Sequence, residues 1–366
     1  MRQIKSLLYI FLSVLLVFNA FNCMQKKVDK NDLYQIDTLS AEIQIDTTLK
    51  QVDTSNKLKL SLREFKNYPI AEGDYIEIVN DGTILDSLII NVNNVTLVAT
   101  NLIAVDKPVL NKYPSRIIID GKNKTFVGVT VNGNNVRLIN FGIKNCLQVG
   151  LKWMGANGYA GNVEISDIGF RYVGTSDSIL FINQSGARIF GEGTIFNSVK
   201  ITNTAFDALG IGVSNVQVLN CTFTKIAVAG HSNGDGIQLY ENVFPPDGQF
   251  TLVNSYIELL NPIKHCLLGH DRKITAMNNY LIGGSTGIIA GKNSLLLNNN
   301  ISNQQTNLFT KVVGRGIILM DLNLVCKGNT ITNDEVGILV RTNGNKPELV
   351  ADNIFINCSY NVKYKK

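Results

Sequence analysis

The three histidines of the chain and its best-placed cations fall in one stretch, residues 216–284. His231, His265 and His270 lie there, and Lys264 directly precedes one of them. Imidazole exchanges protons near neutral pH, and an ammonium group binds carboxylates. A base beside a cation is what proton abstraction next to a uronate carboxylate requires. We therefore predict His231 or His270 as the base and Lys264 as a carboxylate binder.

Polar and aromatic residues in and after this stretch extend the candidate site. The predicted substrate-binding residues are Asp235, Gln238, Tyr240, Arg272 and Arg315. No metal site is predicted, and the cysteines show no metal-binding spacing.

Structural interpretations of the same residues stay open. His231 would then cap a loop, and His265 would be packed against its neighbours. The pairs Asp235–Lys264 and Lys292–Asp321 would be surface ion pairs, worth under about 1 kcal/mol. Trp153 is assigned to the core rather than to a sugar-stacking platform.

The elements that carry these residues are short repeated strands. Nine segments align on one column between apolar positions, beginning with VRLINFGI and VEISDIGF, and the column holds Asn or Asp in eight of them and Gly in one. The recurring residues are Asn140, Asp167, Asn203, Asn220, Asn254, Asn278, Asn298, Gly328 and Asp352. Stacked apolar columns beside an Asn column are typical of a solenoid, in which each Asn adopts a left-handed turn and hydrogen-bonds the next.

A second repeated strand contains glycine, as in GIQLY, GIIAG, GIILM and GILVR. Aligned on these glycines, Asp235, Lys264, Thr286 and Arg315 form one column. A second column contains Glu241, His270, Lys292 and Asp321. Whether the columns face outwards stays open, because a one-residue slip inverts every side chain.

Across residues 60–360 the sequence resembles the right-handed parallel β-helix of the pectate-lyase-like superfamily. The segments REFKNYPIAEGDYIEIVNDGTI and VNGNNVRLINFGIKN carry the likeness. The resemblance implies an all-β, single-stranded right-handed parallel β-helix of about nine to eleven coils. The same scaffold serves many activities, so the fold alone does not give the function.

Within the histidine-containing stretch the likeness is to pectate lyases, and it places Lys264 on their substrate-binding lysine. The departures concern the chemistry, because Leu219 replaces one family aspartate, Gln238 (or Leu239 in an ungapped alignment) replaces another, and Asn220 replaces a histidine. Of the carboxylates only Asp235 remains, so calcium stays a candidate cofactor whose usual ligands are missing. Calcium needs several carboxylate oxygens. The family's catalytic arginine is absent after NNYLIGG, and Leu268 or Gly269 replaces the arginine of the alginate and chondroitin lyase branch. A hydrolase ranks lower still, since no paired aspartates of the polygalacturonase kind are visible.

The first residues read as an export signal, with a basic start and an apolar run too short to span a bilayer comfortably. We predict a lipoprotein-type signal over residues 1–23 with lipidation of Cys23; cleavage after Ala20 is the alternative. Residues 24–60 are predicted to be a polar tether and 61–366 the β-helix. The remaining cysteines are predicted to be buried thiols: Cys146, Cys221, Cys266, Cys326 and Cys358.

The net charge of +5 is compatible with an acidic partner but is not the clustered charge of a nucleic-acid binder. The expected function is that of a lyase-like enzyme on an acidic, uronate-containing polysaccharide. The alternative is a non-catalytic glycan-binding or structural surface lipoprotein. Either protein is expected to be a monomer, exported and held in the cell envelope by its lipid.

Overall fold

The computed structural model describes residues 57–79, 82–84, 86–100, 117–170, 184–227, 234–260, 264–306, 311, 313–321, 323–341 and 349–365. The predicted signal segment, Cys23, His231 and nearly all of the predicted tether lie outside these residues. Within the described ranges, no helix is both long enough and apolar enough to cross a bilayer.

The described chain winds through three parallel sheets, which we number in the order in which each coil visits them. Sheet 1 comprises β1 (Lys57–Ser61), β2 (Tyr75–Val79), β5 (Thr96–Thr100), β8 (Arg137–Ile139), β11 (Tyr159–Gly161), β14 (Ile195–Asn197), β17 (Val216–Leu219), β20 (Gln249–Val253), β23 (Lys273–Met277), β26 (Leu295–Leu297), β29 (Val325–Lys327) and β32 (Leu349–Ala351).

Sheet 2 comprises β3 (Gly82–Ile84), β6 (Ile117–Asp120), β9 (Phe141–Lys144), β12 (Glu164–Ile168), β15 (Lys200–Thr204), β18 (Thr222–Ile226), β21 (Tyr256–Leu259), β24 (Tyr280–Gly283), β27 (Asn300–Ser302), β30 (Thr330–Thr332) and β33 (Ile354–Ile356).

Sheet 3 comprises β4 (Leu88–Ile90), β7 (Val127–Val131), β10 (Val149–Trp153), β13 (Ser185–Ile189), β16 (Asp207–Ile211), β19 (Ile237–Leu239), β22 (His265–Leu268), β25 (Thr286–Ala290), β28 (Arg315–Leu319), β31 (Val336–Val340) and β34 (Tyr360–Tyr364). From β2 onwards the strands form triplets, giving about eleven coils, and the predicted parallel β-helix is confirmed.

The core is built from like residues stacked at equivalent positions of successive coils. In sheet 3, Leu209 pairs with Ile237, and Ile237 pairs with Leu267. All three are fully buried. Each coil therefore buries its apolar residues only by packing on its neighbours, as in other solenoids. A short helix, α1 (Leu62–Phe65), covers the N-terminal end of the core with the buried Phe65.

The first corner, where the chain passes from sheet 1 to sheet 2, explains the asparagine column. All nine residues of the predicted column have positive φ, as the left-handed turn requires. Seven stand at this corner, but Asp167 and Asn203 lie inside the sheet 2 strands β12 and β15. Their places at the corner are taken by Asn162 and Ser198. The two segments were misassigned because strands of both sheets show the same apolar alternation.

A second row of asparagines runs inside the solenoid, directly after the corner residues. Asn279, Asn299 and Asn329 are fully buried. The Asn299 amide uses all four hydrogen-bonding positions. Its Nδ2 donates to Ala276 O and Asn329 Oδ1 at 2.9 Å each, and its Oδ1 accepts from the backbone N and Nδ2 of Asn279 at 3.1 and 2.9 Å. The row is stable in the core because no polar atom of this amide is left unpaired.

The cysteine and tryptophan assignments agree with the structure. Cys146, Cys221, Cys266 and Cys326 are buried free thiols, and Cys358 is half-buried. Burial is the main cause that raises the pKa of these thiols. Trp153 is fully buried and packs edge-on against Phe196, so it is a core residue.

Candidate functional site

The candidate site lies where each coil enters sheet 3, at a corner that we call the second corner. Equivalent positions on successive coils there are Ser185, Asp207, Asp235, His265, Thr286 and Arg315. Adjacent coils in parallel sheets are about 4.8 Å apart. Two aspartates and a histidine therefore stand next to one another, in the order Asp207, Asp235, His265.

This register corrects the predicted one. Asp235 was expected beside Lys264, but the pairing of Ile237 with Leu267 places it beside His265. The glycine alignment failed here because Cys266, not a glycine, is the equivalent of Gly236. A Cβ at Gly236 would lie 2.5 Å from Cys266 O, so the close approach of the next coil requires glycine at this position.

Asp235 holds His265 at both its backbone and its ring. Its Oδ1 accepts the backbone N–H of His265 at 2.9 Å and lies 2.9 Å from the ring Nδ1. An ionised carboxylate only accepts, so the neutral tautomer of His265 that fits this contact has its hydrogen on Nδ1 and its lone pair on Nε2. The Asp235 side chain is 1% exposed and the His265 side chain 21%. The other carboxylate oxygen, Oδ2, is buried with no hydrogen-bond partner among the described residues.

Asp207 lies one coil before Asp235 and is also buried. Its Oδ1 accepts the backbone N–H of Asp235 at 2.8 Å. Burial, followed by the neighbouring Asp235 charge, raises the pKa of Asp207 to about 8, although the Arg188 and Lys264 charges oppose this. At neutral pH the Asp207 carboxyl therefore carries a proton for most of the time.

Tyr240 and Arg188 form one wall beside the aspartates. The Tyr240 ring stacks on Phe190 with centroids 6.1 Å apart, and the Arg188 guanidinium lies 5.8 Å from the Tyr240 centroid. The ring covers Gly210, where a side chain would clash with the phenol. Burial, then the Asp207 charge, raises the pKa of Tyr240, so its hydroxyl stays protonated.

Several predicted substrate-binding residues border this cluster. Lys264 directly precedes His265, and its charge reaches Asp207. Gln238 lies on β19 beside Gly210, in the outward position next to Tyr240. Arg315 lies two coils beyond His265, and the Glu335 charge acts on it. Burial, then the nearby Arg341 charge, lowers the pKa of Arg315.

Two other predicted residues lie at the opposite end of sheet 3. His270 follows β22 and has its Nδ1 3.9 Å from Glu241 Oε2. Arg272 is buried and donates to the backbone O of Glu241 at 2.8 Å. The structure therefore does not bring His270 and Arg272 into the aspartate cluster. Lys292 pairs with Asp247 at 3.1 Å.

Three residues of the cluster were missed as site residues: Asp207, Arg188 and His265. Asp207 opens the strand DALGI, which is equivalent to DGIQL in the next coil. Reading Ala208 as a substitute for the repeated glycine would have revealed the adjacent aspartates. Arg188 carried no comparable signal, since ARIF resembles an ordinary strand.

The described residues contain no group of three or more acid, histidine or cysteine side chains placed to hold a metal ion. The carboxyl groups of the cluster instead pair with backbone N–H groups and with an imidazole. The arrangement can orient an imidazole base, supply a protonated carboxyl and phenol, and present cations nearby.

No protein-family model matches the sequence, and no curated protein matches it. Among solved structures, the Dettilon tailspike protein is similar with 16% identity and a TM-score of 0.46, over 77% of this chain and 62% of that one. A mutant tailspike of E. coli bacteriophage HK620 in complex with pentasaccharide is similar with 12% identity and a TM-score of 0.47. That match covers 86% of this chain and 58% of the tailspike chain.

PfbA, a surface adhesin of Streptococcus pneumoniae, gives 11% identity and a TM-score of 0.37, over 79% of this chain and 85% of that one. This chain thus spans about 60% of the length of the tailspikes that it matches. At such identities and TM-scores, the likeness carries no argument about ligand or activity.

Proposed function

We propose that this protein cleaves an acidic, uronate-containing polysaccharide by β-elimination at the second corner of its β-helix. One observation carries the proposal: Asp235 Oδ1 binds both the backbone and the ring Nδ1 of His265, which leaves Nε2 available as a general base. A carboxylate that fixes the tautomer and stabilises the imidazolium ion is a recurrent way to make histidine an effective base.

The charges around the base support an acidic substrate. Arg188 and Lys264 flank the aspartates, and Arg315 stands further along the same column. Such cations neutralise a uronate carboxylate and so make the hydrogen on the adjacent carbon more acidic. The protonated Asp207 adds a hydrogen-bond donor without adding negative charge at neutral pH.

The proposed step needs only His265 and solvent to move its protons. His265 Nε2 takes the proton from the carbon next to the uronate carboxylate. The electron pair of that C–H bond forms a carbon–carbon double bond, and the glycosidic C–O bond on the neighbouring carbon breaks. Solvent water donates a proton to the leaving oxygen and takes up the proton that His265 has accepted.

Hydrolysis is the second candidate, and the adjacent carboxyl groups of Asp207 and Asp235 favour it. Positions one coil apart lie about 4.8 Å from each other. Retaining glycosidases also use two neighbouring carboxyl groups. Asp207 would then be the protonated acid and Asp235 the nucleophile.

The cellular context belongs to the proposal as well. An exported protein held at the cell envelope through lipidated Cys23 would meet polysaccharides outside the cytoplasm. A non-catalytic glycan-binding role remains the alternative, and the degradation assay below distinguishes it from cleavage.

The test uses residues 24–366 with pectate, alginate, chondroitin and hyaluronan, and follows both ultraviolet absorbance and reducing ends. Elimination raises both signals, because it creates an absorbing double bond as well as a new reducing end. Hydrolysis raises reducing ends alone. We expect both signals to rise, and His265→Gln to slow the rise by about 10²–10⁴-fold, the usual contribution of a general base. Asp235→Asn should also slow it.

The matched control is Asp334→Asn. Asp334 is a buried carboxyl that also accepts a backbone N–H, from Gln304 at 2.8 Å. Its substitution should leave the rate unchanged if folding is intact. Binding without any product would contradict cleavage and support the non-catalytic role. Full activity of His265→Gln would remove His265 as the base.

A further inference from the structure

A groove at the first corner has no role in the proposed reaction. It is lined by Asn220, Cys221, Thr222, Asn254, Ser255, Tyr256, Asn278, Tyr280, Asn298 and Asn300. These residues border sheet 2, whereas the aspartate cluster lies where the chain enters sheet 3. None of the lining side chains is charged.

Two parallel rows of side chains form the groove. One row consists of the corner residues Asn220, Asn254, Asn278 and Asn298, all exposed. The other consists of the first residues of four neighbouring strands, with Thr222 beside Tyr256, Tyr256 beside Tyr280 and Tyr280 beside Asn300. Because coils are about 4.8 Å apart, three intervals make each row roughly 14 Å long. The groove therefore follows the solenoid axis, and its corner row presents an asparagine at each of the four coils.

Much of the hydrogen-bonding capacity in this groove is unused within the described chain. No described residue hydrogen-bonds to the side chain of Asn278 or Asn298. Asn254 Nδ2 reaches Asn220 Oδ1 only at 3.5 Å, the limit of a hydrogen bond. An amide both donates and accepts, so free amides in a row match neighbouring hydroxyl groups.

The tyrosines supply the apolar half of the surface. Tyr280 is 55% exposed, and Tyr256 next to it is half-buried. An aromatic face packs against the C–H surface of a sugar ring while its hydroxyl stays in water. The lining lacks the cations that nucleic acids or acidic polymers would need.

From this geometry we propose that the first-corner groove binds an uncharged polysaccharide, with the chain lying along the solenoid axis. The protein thus has two glycan surfaces of different charge. The asparagine–tyrosine groove holds a neutral polymer, and the aspartate–histidine cluster acts on an acidic one. The groove does not depend on the cluster, since they share no residue.

The test is affinity electrophoresis of residues 24–366 in gels that contain hydroxyethylcellulose, mixed-linkage β-glucan, mannan or xylan. At least one of these neutral polymers should retard the protein. The double substitution Asn278→Gly and Asn298→Gly removes the free amides and keeps the left-handed backbone, as Gly328 does in the same column. This variant and Tyr280→Ser should each weaken retardation by about tenfold.

Matched controls separate the groove from general effects. Asn293→Gly makes the same change at another exposed left-handed position, and Tyr360→Ser removes a tyrosine that is 51% exposed on β34. Both should keep full retardation, as should His265→Gln. Failure of all four polymers to retard the protein would overturn the proposal, and so would equal retardation of groove and control variants. Cleavage of acidic polymers would be unaffected by either outcome.

Discussion

At the scale of single residues, the most informative position is Asp207, because its protonation is linked to folding. Burial and the Asp235 charge raise the pKa of Asp207 from 3.8 to about 8 in the folded chain. The folded state therefore binds more protons than the unfolded state between these values. The contribution of Asp207 protonation to the free energy of unfolding is complete below about pH 4 and is lost as the pH rises through about 8.

Stability should fall between about pH 5 and pH 9 in the wild type, and we expect Asp207→Asn to make this fall smaller. The difference in the free energy of unfolding should reach up to a few kcal/mol, and the melting temperature should show it. Some slope should remain, because burial also raises the pKa of Asp334 to about 7. Calorimetry across this range measures the effect. Asp247→Asn, which changes an exposed carboxyl, is the control. Parallel profiles for wild type and Asp207→Asn would show that Asp207 is already charged in the folded protein.

Residue types and spacing predicted part of the site and missed the rest for a definable reason. The sequence drew attention to Asp235, which belongs to the cluster, and to Lys264 and Arg315, which border it. It favoured Lys264 over His265 because Cys266 replaces the glycine that marks the strand in other coils. A slip of one residue is enough to exchange these two neighbours. Only the strand pairing could decide between them.

At the scale of secondary-structure elements, the corners determine which residues face one another. The sequence predicted stacked strands and left-handed asparagines, and the structure confirms both. It could not assign Asp167 and Asn203 to the correct sheet, since sheets 1 and 2 share one alternation pattern. Long-range pairing between coils, rather than local propensity, distinguishes the two sheets.

The internal asparagine row gives a prediction at this scale. Asn299→Ala would leave the Ala276 carbonyl without its hydrogen-bond donor and the Asn279 and Asn329 amides incompletely paired. Each unpaired buried group costs about 1–3 kcal/mol, so a loss on the order of 3 kcal/mol is expected. Asn299→Ser should be milder, because Ser255 occupies the same position two coils earlier. Thermal melting measures both.

Asn298→Gly is the control for this comparison. It removes an exposed amide next to Asn299 and keeps the left-handed backbone at that corner. Its melting temperature should stay close to that of the wild type. An equal loss for Asn298→Gly and Asn299→Ala would mean that the corner, not the buried row, is what stabilises these coils.

At the scale of the whole molecule, each strand pairs only with strands of neighbouring coils, so stability is expected to vary along the axis. Phe65 illustrates this, because it covers the first coils from α1. Phe65→Ala should cost about 3–5 kcal/mol locally. Hydrogen exchange should then rise in β1–β5 and stay unchanged in β19–β25.

Peptide-resolved exchange measured by mass spectrometry follows this response. Leu62→Ala is a milder control, because Leu62 lies in the same helix but is only partly buried. A uniform rise in exchange over all coils would show that the described part of the β-helix unfolds as one cooperative unit rather than in local segments.

The internal asparagine row also bears on how such a molecule can lengthen over generations. A duplicated coil copies one donor pair and one acceptor together, so a longer row keeps every bond that the shorter one had. A point substitution in the row removes donor and acceptor at once and harms two neighbours. We therefore expect insertion of a whole coil to disturb the row less than a single substitution in it does. The row of asparagines ends on its N-terminal side at Asn279, since Ser255 and then Cys221 occupy the equivalent positions of the preceding coils.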